Sequence, residues 1–249
     1  MNTISPHDLT GTPYAVLLDY PAGRTAQLEQ RCRELRQLGI DDLLLAGPAL
    51  AGGYPVLGLG YCGLVLLGQW QEKRVAIKLL RSDSTQPDLR REAAHLRRAN
   101  LVGVGPQLFA ASDNILVMEY LSGLNLADWL ASPAPPQPSL KQLLRTLLQD
   151  AFTLDRAGVD HGALRCVAEH AIVGEQRATL LDFSQASLER RPANLTTLVP
   201  GLFWGTRLAE AIGRQLILPE PQVIIPLLRH YKDHATSVSY NDLLARLPL

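Results

Sequence analysis

Gly58, Gly60 and Gly63 stand at the spacing G-x-G-x-x-G, Val65 follows two residues later, and Val75-Ala76-Ile77-Lys78 comes after a short polar stretch. A backbone without side chains can approach phosphate oxygens closely, and an ammonium group beside it can neutralise them. A glycine triplet alone is a weak signal, because it also opens dinucleotide-binding folds, where the turn runs into a helix. Here the glycines run into Leu64-Val65-Leu66-Leu67, then a polar turn from Gln69 to Lys73, then an apolar run ending in Lys78. That order predicts strand, glycine turn, strand, turn, strand, with the lysine carried on the last strand. The competing reading is an ordinary meander with Lys78 as a surface charge.

The elements around this hairpin follow from apolar spacing and from helix-end residues. Residues 13–20 read as a short apolar strand. Leu28, Cys32, Leu35 and Leu38 share one face of a helix over 24–38, with Gly39 as its cap. A strand over 54–57 enters the glycine turn. Ser82, Ser84, Thr85 and Pro87 supply helix-start chemistry for a helix reaching about Asn100, which carries Glu92. Residues 106–111 and 115–120 form a hairpin across Ser112-Asp113-Asn114. The proline-rich residues 132–138 read as a stiff connector. Ser139 caps a long helix with Leu140, Leu143, Leu144, Leu147, Leu148 and Ala151 on one face, and Gly158 ends it. Further helices are expected from Asn194 or Thr196 to about Gly213, over 219–235 and over 239–246. Leu202, Phe203 and Trp204 are assigned to the core.

A second group of chemical residues follows the long helix. It comprises His161-Gly162-Ala163-Leu164, then His170-Ala171-Ile172-Val173, then Asp182-Phe183-Ser184-Gln185-Ala186-Ser187. With the glycine turn and Lys78, these residues give the chain a specific likeness. Over residues 56–187 it resembles the protein-kinase-like superfamily. Within that superfamily it looks like small prokaryotic predicted serine/threonine kinases, and more distantly like RIO-type kinases. The continuation Arg190-Arg191-Pro192-Ala193-Asn194 is similar to that group as well.

The resemblance implies an α+β fold of two lobes: an N-terminal antiparallel sheet with a helix, and a small, mostly helical C-terminal lobe. It divides the chain into an N-terminal extension packing on the small lobe (1–50), the N-lobe (51–121) and a reduced C-lobe (122–249). It implies ATP and Mg²⁺ as ligands and transfer of the γ-phosphate to a serine or threonine hydroxyl as the nominal activity. Gly58, Gly60, Gly63, Val65, Ala76 and Lys78 would contact the nucleotide. Met118 would sit behind the adenine, and backbone groups around Glu119 and Leu121 would pair with its edge. Glu92 would hold Lys78 over the phosphates. Asp182 would carry the metal, and His161 would match the catalytic-loop histidine.

Three positions depart from the family pattern. Ala163 stands where the catalytic aspartate belongs and cannot accept a proton, a loss typically worth about 10²–10⁴ in rate. Asp160 and Glu169 are the nearby carboxylates, neither in the same register. The metal-binding asparagine is absent: the direct count gives Ala168, and two extra residues give His170, a poor ligand for Mg²⁺. Glu169 is therefore the second metal candidate. Ser184 replaces the glycine after Asp182-Phe183. The reading is an ATP-binding kinase-like phosphotransferase with a degenerate catalytic loop. The alternatives are a pseudokinase that binds nucleotide or a partner, and a small-molecule phosphotransferase with an acidic pocket formed by Asp160, Glu169 and the C-terminal helices.

Composition narrows the field further. The 249 residues carry 24 basic and 24 acidic side chains, so no global charge footprint for nucleic acid or an anionic membrane exists. Cys32, Cys62 and Cys166 fit no metal spacing and suit a reducing cytoplasm. The first residues lack the basic-then-apolar order of a signal peptide. Residues 43–71 contain no charge, but seven glycines and two prolines argue against a spanning helix.

Overall fold

The computed structural model describes residues 3–23, 27–132 and 139–249. It is an α+β protein with mostly antiparallel sheet, and it divides into two compact units. Met1–Ala94 with Pro106–Tyr120 make the first, and His95–Gly105 with Leu121–Leu249 make the second. No helix is long and apolar enough to cross a membrane among the described residues.

The first unit is built on a seven-stranded sheet. Its strands are β1 (Thr3–Ile4), β2 (Ile40–Leu44), β5 (Gly58–Leu59), β6 (Gly63–Trp70), β7 (Lys73–Leu80), β8 (Leu108–Ala111) and β9 (Ile115–Glu119). The order is β1-β2-β6-β7-β9-β8, with β5 folded back onto β6, and every pairing is antiparallel. A separate small hairpin joins β3 (Ala49–Ala51) and β4 (Tyr54–Val56). Helix α1 is Gln27–Gln37, and α2 is Arg90–Asn100, whose first turns belong to this unit. β6 and β7 are joined by Gln71 and Glu72, both at positive φ, the backbone shape of the tight hairpin turn that follows the natural strand twist.

The period-two alternation of β6, β7 and β9 sorts their side chains onto two faces. On one face Leu64, Leu66, Val75, Ile77, Leu79, Ile115 and Val117 are all buried. They share a core with Leu9, Leu17, Leu18, Cys32, Leu35, Ile40 and Leu43. Most of what covers this face therefore comes from the first 45 residues. Each such side chain is worth about 1.5–3 kcal/mol of burial. The N-terminal segment also adds β1 and β2 to the sheet itself.

The second unit contains β10 (Leu124–Asn125), β11 (Ala171–Val173) and β12 (Ala178–Leu180) in a small antiparallel sheet. Its helices are α3 (Leu126–Ala131), α4 (Leu140–Ala157), α5 (Asn194–Phe203), α6 (Arg207–Gly213), α7 (Pro221–Asp233) and α8 (Ser237–Leu244). As the spacing predicts, Ser139 caps α4 through the Gln142 N–H, the leucine face is buried, and Gly158 ends the helix in the left-handed region.

Three sequence expectations need correction. Residues 13–20 do not form a strand: Pro13–Asp19 is a 3-10 helix, with proline at its start and Leu17 and Leu18 buried. An eight-residue apolar run does not reveal its own period. Helix α2 starts at Arg90 rather than near Pro87: the Ser82 hydroxyl donates to the distant Asp19 carbonyl, the Ser84 hydroxyl accepts the Gln86 N–H in the preceding turn, and Asp88 accepts the Arg90 N–H. The helix expected over 194–213 is two helices, α5 and α6, separated at Trp204-Gly205, where Gly205 has φ +67°. Leu202 and Phe203 are core; Trp204 is half-buried and donates its indole N–H to the Pro219 carbonyl at 2.8 Å. The proline-rich connector at 133–138 and the start of the first helix at 24–26 lie outside the described residues.

Candidate functional site

In the first unit, the register of β5, β6, β7 and β9 aligns Gly58, Val65, Lys78 and Leu116 in one row. Leu67, Ala76 and Met118 form the next row on the same face. This is the face opposite the one covered by the N-terminal segment. Val65 and Ala76 are half-buried there, Met118 is buried, and Lys78 points along it.

Lys78 Nζ lies 2.6 Å from Glu92 Oε1, and both side chains are buried. The buried carboxylate gives the ammonium a fixed address instead of a spread of rotamers. Gly63 makes room for this: a Cβ there would stand 2.7 Å from Lys78 Cε and 3.0 Å from its Cγ. A larger residue at this third glycine would push the lysine stem aside. Gly60 closes the turn through its N–H to the Gly63 carbonyl at 2.8 Å, and Gly58 packs beside Val65.

Two networks hold these parts, and neither is apparent in the motif. Glu34 of α1 accepts hydrogen bonds from Ser112 and Asn114 of the β8–β9 turn, while Asp113 in that turn pairs with Arg90 at the start of α2. Asp113 also accepts the Leu89 N–H through its carbonyl, at 2.7 Å. The start of the helix that carries Glu92 is thereby tied to α1. On the other side, Arg81 donates to the Gly60 carbonyl at 3.0 Å. At the end of β9, Glu119 exchanges with Gln107, its N–H donating to the Gln107 carbonyl and its carboxylate accepting the Gln107 N–H. Leu121 follows, half-buried, just past the strand.

The second unit carries the other group. His161 is fully buried. Its Nε2 is 3.0 Å from the Leu181 carbonyl, so the ring nitrogen donates there and Nδ1 is the bare nitrogen. Nδ1 is buried with no partner among the described residues. Burial, then the neighbouring His170, pushes the His161 pKa down to about 4, so the ring is neutral. Phe183 packs 4.8 Å from this ring and close against Gly105, where a Cβ would meet Phe183 at 2.8 Å and Leu96 at 3.0 Å. His161 therefore positions Leu181 and Phe183, on either side of Asp182, and presents no reacting atom.

Asp182 sits at φ +62°, ψ +80°, in the left-handed region that non-glycine residues seldom adopt. Its carboxylate is partly exposed and accepts the Ser184 N–H at 3.3 Å. Strained backbone of this kind gathers at functional positions, where the surrounding packing fixes it. His170 Nδ1 is 4.0 Å from Asp182, so the histidine stands beside the metal candidate. Glu169 is exposed in the preceding turn, and its carboxylate makes no hydrogen bond or ion pair among the described residues.

The loop around Ala163 is held firmly. Gly162 has φ +81°, and a Cβ there would lie 2.4 Å from the Gln185 carbonyl. Asn194 Oδ1 accepts the His161 N–H at 2.8 Å, and its amide group donates to the Val159 carbonyl and to Asp155. Asp155 also receives the Asn194 and Leu195 N–H groups and the Tyr231 hydroxyl, which fixes the start of α5. Gly201 of α5 lets the Arg165 carbonyl approach, where a Cβ would come within 2.7 Å. Ala163 itself carries no polar side chain, and Asp160 does not replace it. The Asp160 carboxylate accepts from Arg190 Nε at 2.8 Å and from the Ala193 N–H at 3.3 Å. The sequence presented Asp160 as an available carboxylate, but Arg190, thirty residues on, engages it.

A single carboxylate with substrate phosphates and water is a usual binding mode for Mg²⁺. Asp182 fits that role. Among the described residues no three His, Cys, Asp or Glu side chains gather as an all-protein metal site would need. All three cysteines are free. In comparison with known proteins, no family model and no curated protein matches this chain.

Proposed function

We propose that the chain is a kinase-like protein of two lobes that binds Mg-ATP, with nominal γ-phosphate transfer to a hydroxyl acceptor and a degenerate catalytic loop. The observation that carries this reading is the buried Lys78–Glu92 pair, 2.6 Å apart, whose lysine stem runs over Gly63. A buried ion pair adds little net fold stability compared with an apolar pair of the same volume. What it supplies is a positively charged group at a fixed place beside bare glycine backbone. In this reading Gly58, Gly60 and Gly63 approach the phosphates, and Lys78 neutralises them under the control of Glu92. Val65, Ala76 and Met118 flank the adenine, whose edge pairs with backbone near Glu119 and Leu121. Asp182 holds Mg²⁺, which supplies charge neutralisation to the phosphates.

A second reading, a pseudokinase that binds nucleotide or a partner without turnover, is favoured by two observations. Ala163 offers no base, and Asp160 is committed to Arg190. The small-molecule phosphotransferase reading requires an acidic pocket, and Arg190 neutralises one of the carboxylates it would use.

Calorimetric titration with Mg-ATP tests the proposal. A charge-assisted hydrogen bond is worth about 1.5–3 kcal/mol, so Lys78→Ala is expected to weaken ATP binding on the order of ten- to hundredfold. Unchanged affinity sinks the nucleotide site. Release of γ-phosphate to water or to the chain itself, abolished by Asp182→Ala, separates a working phosphotransferase from a binding module.

A further inference from the structure

We propose that Arg81 is a positioning residue for the glycine-rich turn, and that through it the segment Asp19–Ala22 controls the phosphate end of the nucleotide site. The inference rests on the nucleotide-binding reading above.

The turn over residues 60–62 has little packing of its own. Tyr61 at its tip is 79% exposed, and Leu59 is exposed beside it. A glycine-rich turn of this kind has many backbone conformations to lose before it can grip phosphates. Three hydrogen bonds fix it. One is internal, from the Gly60 N–H to the Gly63 carbonyl. The other two come from Arg81: its backbone N–H donates to the Cys62 carbonyl at 3.0 Å, and its Nη1 donates to the Gly60 carbonyl at 3.0 Å. Both carbonyls are therefore held by Arg81.

Arg81 is itself fixed from outside the turn. Its guanidinium makes a two-bonded pair with Asp83, at 2.8 and 2.7 Å, and lies over the Tyr20 ring, 5.3 Å from the centroid. The next residue completes the clasp. The Ser82 N–H donates to the Tyr20 carbonyl at 2.8 Å, its hydroxyl donates to the Asp19 carbonyl at 3.1 Å, and it accepts the Ala22 N–H at 3.1 Å. The N-terminal segment, sixty residues away in sequence, thus grips Arg81 and Ser82, and Arg81 grips the turn. A ligand or modification that displaced residues 19–22 would loosen the turn without touching it.

The test uses the full chain with Arg81→Ala, which keeps the backbone bond to Cys62 and removes the side-chain anchor. Affinities for Mg-ATP and for adenosine are measured by calorimetry, and exchange of the Gly60 amide is followed without nucleotide. The expected result is an ATP affinity lower by about tenfold, the scale of one charge-assisted hydrogen bond. Adenosine affinity should be unchanged and Gly60 exchange faster. Equal ATP affinity in the variant overturns the proposal, as does an equal loss for adenosine, which would mean general loosening. If the wild type and Lys78→Ala bind Mg-ATP equally weakly, the nucleotide reading fails. Gly60 exchange then still decides whether Arg81 orders the turn. If Arg81→Ala does not fold, Ser82→Ala cuts the same clasp one residue on, and unchanged Gly60 exchange there overturns control by the N-terminal segment.

Discussion

In the first unit, the side chain suited to a phosphate is fixed by packing: Lys78 is buried against Glu92, and its stem passes over Gly63. In the second unit the packing is equally strict, yet the loop it encloses presents no carboxylate at Ala163. Gly162 is required by the Gln185 carbonyl, His161 by Leu181 and Phe183, and Asn194 by the His161 N–H, the Val159 carbonyl and the Asp155 carboxylate, while Ala163 between them carries only a methyl group. The shape of this loop and the chemistry it would carry under the proposed function are thus separable. Backbone hydrogen bonds and close glycine contacts keep the loop's shape whether or not a carboxylate projects from it.

That separation predicts its largest effect at Ala163. If the scaffold alone is intact, Ala163→Asp returns a carboxylate to a loop already shaped for it. A positioned base contributes about 10²–10⁴ in rate, so phosphoryl transfer to a hydroxyl acceptor or to the chain itself is expected to rise by at least the lower figure. Steady-state turnover with Mg-ATP measures it. No gain would mean that the second unit lacks more than a base.

The first unit should respond to an inverse experiment. Lys78→Met takes away the cation against which Glu92 is buried, and breaking such a pair costs about 3–5 kcal/mol. Adding Glu92→Leu removes the remaining charge, and most of that loss should return. Urea unfolding of the two variants provides the comparison. A single variant as stable as the wild type would mean the pair is not buried in solution, and the contrast with the second unit would disappear.

The two units also differed in how much their sequences disclosed. The hairpin of β6 and β7, its lysine and the leucine face of α4 were legible because each depends on residues close in the chain. The 3-10 helix at Pro13–Asp19 was not, since a short apolar run fits either period and tertiary burial of Leu17 and Leu18 decides it. Glu92 was legible as the only acid beyond the first turn of its expected helix, but the Glu34 and Asp113 contacts that hold that helix join residues 23–80 apart. Arg81 carried no signal, because its role appears only when Gly60 and Tyr20 meet it. Asp160 misled for the same reason: a carboxylate near the Ala163 loop looks available until the fold brings Arg190 to it.

The smallest expected effect concerns acid. The second unit's loop rests on a neutral ring: His161 is buried with its pKa lowered from 6.5 to about 4, first by burial and then by His170, against smaller opposing effects of the Leu181 carbonyl, Asp182 and Asp160. Because the folded value lies below the unfolded one, the unfolded chain takes up the proton first as pH falls. The contribution of this ring to stability is complete above about pH 6.5 and is lost progressively down to about pH 4. Its size is roughly 3 kcal/mol. Asp150 works in the opposite sense, since burial raises its carboxyl to about 6 despite Arg177, so its ionisation weighs against the fold at neutral pH and is relieved on acidification. Total stability against pH would therefore blur the two. The informative quantity is the stability of the wild type minus that of His161→Gln, in which the Asp150 contribution cancels. That difference should shrink by roughly 3 kcal/mol between pH 7 and pH 4. A constant difference would mean that the ring is hydrated or charged in the folded chain. The loop around Ala163 would then be looser than its hydrogen bonds suggest, and the contrast between the units would rest on Ala163 alone.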